Sequence, residues 1–275
     1  MTAPPPPPAR RAFDGPPRHR PAVGVLGTGR LGRALAARLA GRGGLAVGDR
    51  DRETATTLGA ELGVPALPPD ELAYRSEVVL VCVPPPAVAA AIASCLRGGA
   101  PRPAGTVFAN LATSLPTGTL RRDPVLHRAT VVGLKPVCQF TAVAHGVPTP
   151  FLTAAADHLP LLRAAVGDLG PVLLTDEHAE DSVGAVNRAA TLAALRACTA
   201  LRAELAALAT APEVVDAAVG NVLAGTALDF PPDPGNGYTA ALLRELAAPA
   251  AVTAINTPAA APRSVGGAGH PAARP

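Results

Sequence analysis

The sequence has no tryptophan, few other aromatic residues, and a single lysine, Lys135, among its 275 residues. The remaining basic side chains are arginines, and the net charge is only +3. A nucleic-acid-binding surface needs a clustered basic patch, usually with aromatic side chains that stack on bases. The sequence contains no such basic patch, so we expect no nucleic-acid partner.

Long apolar runs are also missing. No stretch approaches the roughly 18 uninterrupted apolar residues that a membrane helix requires, and Arg10 and Arg11 are not followed by the apolar region of an export signal. The cysteines form no CxxC pair and have no histidine at zinc spacing; they are Cys82, Cys95, Cys138 and Cys198. These absences predict a soluble, cytoplasmic protein with no membrane partner and no bound metal.

The composition divides the chain into four parts. Residues 1–20 are rich in Pro and Arg, and residues 257–275 in Ala, Pro and Gly, so both are predicted to be disordered tails. Between them, short apolar runs alternate with helical patterns, which is typical of a parallel sheet covered by helices. We therefore predict an α/β, Rossmann-type, doubly wound and mostly parallel sheet over residues 21–176. A small all-helical dimerisation and substrate domain should follow over residues 177–256.

The periodicity of the second half suggests a homodimer. The stretch 181–210 lacks proline and strand signals, and it predicts one long helix, with shorter helices over 212–228 and 239–246. Leu192 and Leu201 lie nine positions apart, about half a turn out of phase at 3.6 residues per turn. A helix that is apolar on opposite sides must be covered on both. A helix threaded through a dimer interface satisfies this requirement.

The segment Val23–Gly32 contains the strongest chemical signal. Its glycines form the pattern G-x-G-x-x-G between a predicted strand and a predicted helix, the setting in which this pattern binds a dinucleotide. Gly27 permits the tight turn, Gly29 lets the backbone approach a pyrophosphate, and Gly32 lets helix and strand pack closely. The N–H groups at the helix start favour the anion. The predicted cofactor-binding residues here are Gly27, Thr28, Gly29, Arg30, Leu31 and Gly32.

Residues near the next strand bear on the choice of coenzyme. Asp49 lies 22 residues after Gly27, where a carboxylate bonds the ribose hydroxyls of NAD. Arg50 and Arg52 could instead hold the 2′-phosphate of NADP. We favour NADP and keep NAD as the alternative. The segment Val83–Pro84 ends a buried strand and is predicted to border the nicotinamide ribose.

With these motifs in place, residues 22–250 resemble the pyrroline-5-carboxylate reductase family. The resemblance rests on Val23–Leu39, on Glu77–Pro84, on the strand before Thr175-Asp176-Glu177, and on Pro234–Thr239, which looks like the family's Pro-Gly-Gly-Thr-Thr signature with one extra residue. The resemblance implies reduction of a cyclic imine by NAD(P)H and dimerisation through interlocked C-terminal helices.

Two segments depart from the family pattern. The glycines of its Ser-Gly-Ser-Gly-Pro-Ala-Tyr stretch are absent from residues 187–193, and only one proline of its Met-Pro-Asn-Thr-Pro segment is matched, near 135–139. Both segments would line the substrate site. The expected substrate is therefore a small, carboxylate-bearing imine, with the proline precursor itself left open.

Three residues are candidates for catalysis: Lys135, Asn187 and Thr239. Lys135 follows a predicted strand and should stand at the carboxyl end of the sheet, where it could anchor an anion or supply a proton. Asn187, at the start of the long helix, should face the same cleft. The turn Gly237-Tyr238-Thr239 precedes a helix, whose free amides and Thr239 hydroxyl could bind a substrate carboxylate.

Two other readings remain open. One is a related dehydrogenase or reductase that acts on C=O or C=C, or on a deazaflavin. Such 3-hydroxy-acid dehydrogenases usually carry a lysine on the long helix, and none is present in that helix here. The other is a non-catalytic regulatory protein that binds a dinucleotide.

Overall fold

The computed structural model describes residues 20–97, 105–208, 211–233 and 235–247. These residues form two compact units, which divide within a long helix after Ala197. The first unit consists of two sheets and the helices around them, and the second is helical. Apart from Arg20, the tails predicted at 1–20 and 257–275 lie outside the described residues.

The strands of the first unit form two sheets. All are short, and they are β1 (Val23–Leu26), β2 (Leu45–Gly48), β3 (Val78–Val81), β4 (Val107–Asn110), β5 (Thr130–Gly133), β6 (Lys135–Pro136), β7 (Phe151–Thr153) and β8 (Val172–Leu174). The larger sheet is parallel, with the order β2-β1-β3-β4-β5, and the smaller has the order β6-β7-β8. Strand β7 runs antiparallel to β6 and parallel to β8.

Helices connect these strands. In the first unit they are α1 (Arg30–Leu39), α2 (Arg52–Leu62), α3 (Pro69–Arg75), α4 (Val88–Cys95), α5 (Thr117–Arg121), α6 (Phe140–Ala144), α7 (Leu159–Val166) and the first part of α8 (Glu177–Ala207). In the second unit the end of α8 is followed by α9 (Pro212–Ala217), a π-helical stretch over Ala218–Leu223, α10 (Ala224–Leu228) and α11 (Gly237–Ala247). None of the helices described is both long and apolar enough to cross a membrane.

The parallel sheet carries a separate apolar core on each face. Because successive strand residues point to opposite faces, Val78 and Leu80 pack in one core, whereas Val79 and Val81 pack in the other. Helices α1, α2, α6 and α7 contribute side chains to the first core, and α3, α4 and α5 to the second. All four residues of β3 are fully buried, as expected for a strand covered on both sides. The predicted doubly wound fold is confirmed.

Capping residues determine where two of the helices begin or end. Residues at its own two ends delimit helix α2, because the Asp51 carboxylate accepts the Glu53 N–H at 3.0 Å and Gly63 ends the helix in a left-handed conformation. Helix α8 begins at Glu177, earlier than the predicted start at residue 181. The reason is that Asp176 caps the preceding turn, with its carboxylate accepting the Ala179 N–H at 2.7 Å.

Candidate functional site

A crevice opens at the carboxyl edge of the parallel sheet. The register aligns Leu26, Val81, Asn110 and Gly133 in one row across four strands, so the loops that follow them share this edge. Strand β1 lies between β2 and β3, and the loops after β1 and β3 therefore diverge, which is where open α/β sheets bind ligands. The cavity measures about 560 Å³. It is lined by residues 29–31, 81–85, 111–114, 136, 138–140 and 187.

The three glycines after β1 play different parts. Gly27 has a φ of 99°, and a Cβ there would meet the Cys82 carbonyl group at 2.9 Å. A Cβ on Gly32 would overlap the carbonyl oxygen of Gly27. Both residues must be glycine for α1 to pack against the sheet. A Cβ on Gly29 would meet no protein atom within 4 Å, and α1 starts there without a side-chain cap. Gly29 thus faces open space at an unblocked helix N-terminus.

Asp49 is bonded within the protein. Its Oδ2 atom accepts the N–H of Thr28 at 2.6 Å and the Thr28 hydroxyl at 2.9 Å, while Oδ1 accepts the Asp51 N–H at 3.0 Å. Thr28 is buried beneath the turn and does not line the crevice. Asp49 therefore braces the glycine turn, whereas Arg50 and Arg52 beside it are exposed.

The walls of the crevice are mostly apolar. Val83 and Pro84 line it, and so does Leu31. Arg30 also lines it, with its guanidinium group 5.4 Å from the centre of the Phe140 ring, a distance typical of a cation–π contact. Of the predicted cofactor residues after β1 and β3, Gly29, Arg30, Leu31, Val83 and Pro84 thus line one cavity, and Gly27, Thr28 and Gly32 do not.

Two thiols, Cys82 and Cys138, line the crevice as well. Burial raises the pKa of Cys82 to about 12, with a smaller contribution from the nearby Cys138. Burial likewise raises the pKa of Cys138 to about 11. Both groups therefore remain protonated thiols at neutral pH, and protonated thiols are poor nucleophiles.

Asn187 is the crevice-lining residue of α8, as the sequence suggested. Its Nδ2 atom donates to the carbonyl oxygen of Pro136 at 2.9 Å, which fixes the orientation of the side-chain amide. The neighbouring Arg188 is exposed and is not among the lining residues.

Lys135 lies elsewhere than the sequence suggested. Its side chain is fully buried, and Nζ donates to the carbonyl oxygens of Ala112 at 2.8 Å and Leu115 at 2.9 Å. Lys135 is not among the lining residues. Burial lowers its pKa to about 8, opposed by the negative charges of Glu180 and Asp181. The ammonium group thus supports a loop from beneath instead of reaching into the crevice.

Three further buried polar residues lie near this loop and were not singled out from the sequence: Asn110, Thr117 and Glu180. Asn110 ends an otherwise apolar strand, which was an available signal. Glu180 lies among other acidic residues at the start of α8, so nothing in the local sequence distinguishes it.

The predicted substrate turn belongs to the second unit. Helix α11 begins at Gly237, and the Asn236 side chain caps it by accepting the N–H groups of Tyr238 at 3.0 Å and Thr239 at 3.3 Å. The Ala240 N–H donates to the Asn236 carbonyl oxygen at 2.8 Å. The amides expected to be free for a carboxylate are therefore occupied, because asparagine is a strong N-cap. Pro234 lies outside the described residues.

Comparisons with known proteins agree with this architecture. The family "NADP oxidoreductase coenzyme F420-dependent" matches residues 22–102, and no curated protein matches the chain. Among solved structures, a pyrroline-5-carboxylate reductase from Coxiella burnetii superposes with a TM-score of 0.62 at 16% identity, covering 83% of this chain and 93% of that one.

Two further solved structures have the same arrangement. Pyrroline carboxylate reductase from Plasmodium falciparum, with NADP bound, gives a TM-score of 0.59 at 14% identity, covering 82% of this chain and 90% of its own. A reductive aminase from Aspergillus terreus, in complex with NADPH and ethyl levulinate, gives 0.56 at 17% identity, covering 83% and 78%. The chain has the fold of the pyrroline-5-carboxylate reductases, as its motifs indicated.

Proposed function

We propose that this protein is an NADPH-dependent reductase that transfers a hydride to the carbon of a small imine. The observation that carries the proposal is the crevice at the reversal of strand order, with unobstructed space over Gly29 between two glycines that the fold itself requires. A dinucleotide fits these residues, because its diphosphate needs both a bare backbone and an unblocked helix N-terminus. The similar Plasmodium and Aspergillus structures contain NADP and NADPH.

Each part of the crevice has a distinct role in this proposal. The amides at the start of α1 and the Arg30 guanidinium would hold the diphosphate, and the apolar wall that includes Val83 and Pro84 would exclude water. The bound coenzyme supplies the hydride. The Asn187 amide, fixed by Pro136, would orient the imine by a hydrogen bond. An amide does not donate a proton as an acid at neutral pH, so a substrate that is already an iminium ion suits this site.

Arg30 is the cationic side chain among the residues that line the crevice, and it is assigned to the diphosphate. The lining therefore provides no further cation for a substrate carboxylate. Within the second unit, the turn Gly237-Tyr238-Thr239 is the proposed binding site for a carboxylate. Because Asn236 occupies the amides of the last two residues, the side-chain hydroxyls of Tyr238 and Thr239 are the groups that would take part.

Absorbance of NADPH at fixed coenzyme concentration tests the reaction. We expect oxidation of NADPH with cyclic imines, faster with a carboxylate-bearing imine than with its methyl ester. Turnover of ketones or alkenes but of no imine would contradict the C=N assignment. Tight coenzyme binding without turnover of any compound would instead support a regulatory protein.

A second candidate reaction is favoured by the family match over residues 22–102. In this alternative, the hydride passes between NADP and a 5-deazaflavin, and the same crevice would hold both. The absorbance assay distinguishes the two candidates when a 5-deazaflavin is included as acceptor. Oxidation of NADPH by the deazaflavin alone would favour this second reaction.

The coenzyme preference gives a separate prediction. Asp49 is already engaged by Thr28 and Asp51, whereas Arg50 is exposed beside the same strand end. Arg50→Ala should therefore weaken NADPH binding about tenfold, because one charge-assisted contact to the 2′-phosphate is lost. NADH binding should change less than twofold. Fluorescence titration with both coenzymes measures this, with Arg128→Ala, an exposed residue before the amino end of β5, as control. Equal losses for NADPH and NADH would contradict the assignment.

We also propose that the protein is a homodimer formed through the second unit. Val215 is the one buried apolar side chain among the described residues of this unit, whereas Leu208, Phe230 and Leu246 are 73%, 74% and 83% exposed. Apolar surface on this scale marks an interface in a folded protein. Light scattering should give twice the chain mass of 27.4 kDa. A monomer at micromolar concentration would contradict the proposal.

A further inference from the structure

The loop over residues 111–115, which we call the β4 loop, forms one wall of the crevice. Four of its five residues, Leu111 to Ser114, line the cavity. The carbonyl oxygens of Ala112 and Leu115 accept hydrogen bonds, at 2.8 and 2.9 Å, from Nζ of Lys135, which does not line the crevice. The only lysine of the chain thus joins the two ends of this loop.

Asn110 binds the same two loop residues. Its Oδ1 atom accepts the Ala112 N–H at 3.0 Å, and its Nδ2 atom donates to the Leu115 carbonyl oxygen, also at 3.0 Å. Nδ2 also lies 3.4 Å from the Thr117 hydroxyl oxygen. The β4 loop is therefore fixed by side chains from β4 and from β6 together.

Glu180 extends this network from α8. Its Oε1 atom accepts the Thr117 hydroxyl at 2.8 Å, and Oε2 accepts the Ala154 N–H at 2.8 Å. The carboxylate lies directly over Gly133, where a Cβ would overlap it. One turn further along α8, a Cβ on Gly184 would come within 2.6 Å of the Thr113 carbonyl oxygen. Helix α8 thus packs against the β4 loop at a distance that only glycine permits.

A buried lysine and a buried glutamate are costly elements for fixing a loop. Removing such charges from water carries a large desolvation penalty, and apolar replacements of similar volume often fold more stably. What a fully bonded network provides is a single loop geometry.

The position of the β4 loop along the sheet edge indicates which part of the coenzyme it would contact. Asp49 follows β2, Gly29 follows β1, and the β4 loop lies beyond both in the strand order.

We propose that Lys135 and Glu180 are positioning residues that, together with Asn110 and Thr117, hold the β4 loop in the shape that receives the nicotinamide half of the coenzyme. This inference rests on the proposed function. It assigns Lys135 no contact with substrate and no transfer of a proton. It also predicts that the network affects one half of the coenzyme and not the other.

Calorimetry with the whole coenzyme and with its adenosine half tests this prediction on the full-length protein. The probes are NADPH and 2′,5′-ADP, or NADH and 5′-ADP if NADH is the preferred coenzyme. Lys135→Met should weaken binding of the whole coenzyme about tenfold, because the wall against the nicotinamide is no longer fixed. Binding of the adenosine half should stay within about twofold of wild type. Equal weakening of both probes by a folded Lys135→Met protein would overturn the inference.

Two threonines provide a matched pair of milder variants. Thr117 and Thr149 are both 2% exposed, but Thr117 belongs to the network, whereas Thr149 lies near the start of β7 and does not line the crevice. We expect Thr117→Val to weaken binding of the whole coenzyme and Thr149→Val to leave it unchanged. This pair decides the question if Lys135→Met does not fold. Wild-type protein that binds neither probe would refute the proposed function, whereas normal binding by Thr117→Val and Lys135→Met would refute this inference alone.

Discussion

Gly29→Asp is expected to abolish coenzyme binding while leaving the protein at least as stable as the wild type. Gly29 is the N-cap residue of α1, with φ −65° and ψ −169°, a conformation open to any L-residue. A Cβ at this position meets nothing within 4 Å. Aspartate is among the best N-cap residues, and at this position it is better than glycine by a few tenths of a kcal/mol. The fold therefore tolerates this substitution.

Coenzyme binding, in contrast, should not tolerate Gly29→Asp. The new carboxylate would occupy the space where the diphosphate must approach the backbone, and it would bring a like charge into contact with it. Like-charge contacts cost several kcal/mol, so we expect affinity to fall at least about 100-fold. Calorimetry and thermal denaturation of the same samples measure the two effects together. A loss of binding with an unchanged or raised Tm is the expected combination.

Gly41→Asp is the matched control. Gly41 is also exposed, a Cβ on it would also meet nothing within 4 Å, and it lies beyond the other end of α1. This variant should bind the coenzyme like the wild type. If Gly29→Asp also binds normally, no diphosphate rests at the start of α1, and the proposed function fails with it.

The difference between what the sequence predicted and what it missed follows from the range of the interactions. Helix α2 depends on Asp51 and Gly63, residues at its own ends, and β3 is a continuous apolar run. Each of these elements can be predicted from its own residues, without knowledge of the rest of the fold. Strand β6 has only two residues, and its partner β7 lies beyond α6, so no local pattern indicates their pairing.

The site shows the same limit. The sequence made Lys135, its single lysine, a candidate catalytic residue. A position after a strand, however, is compatible with both a ligand contact and a buried hydrogen bond. The Lys135 partners Ala112 and Leu115 lie 23 and 20 positions away, and Glu180 lies 63 positions from Thr117. Only the folded chain brings these groups together. The Asn236 cap differs, because an asparagine just before a helix is a local signal that the sequence did contain.

A glycine beneath Glu180 allows the buried network to be tested for its effect on stability. Gly133→Ala should destabilise the protein by about 3 kcal/mol, because the new methyl group would displace the carboxylate and leave the Thr117 hydroxyl and the Ala154 N–H without their acceptor. Each buried group left unsatisfied costs about 1–3 kcal/mol. Urea denaturation measures the loss, and Gly118→Ala, whose Cβ would make only ordinary contacts at 3.6 Å, should cost far less.

A double variant separates this displacement from any other cost of the added methyl group. Glu180→Ala alone should be strongly destabilising, since it removes the same acceptor and leaves the buried Lys135 charge less compensated. In that background the carboxylate is gone, and adding Gly133→Ala should cost less than about 1 kcal/mol more. The two changes should therefore be far from additive. Additive losses would mean that Gly133 is required for some reason other than the carboxylate above it, and Glu180 would then not depend on this glycine for its position.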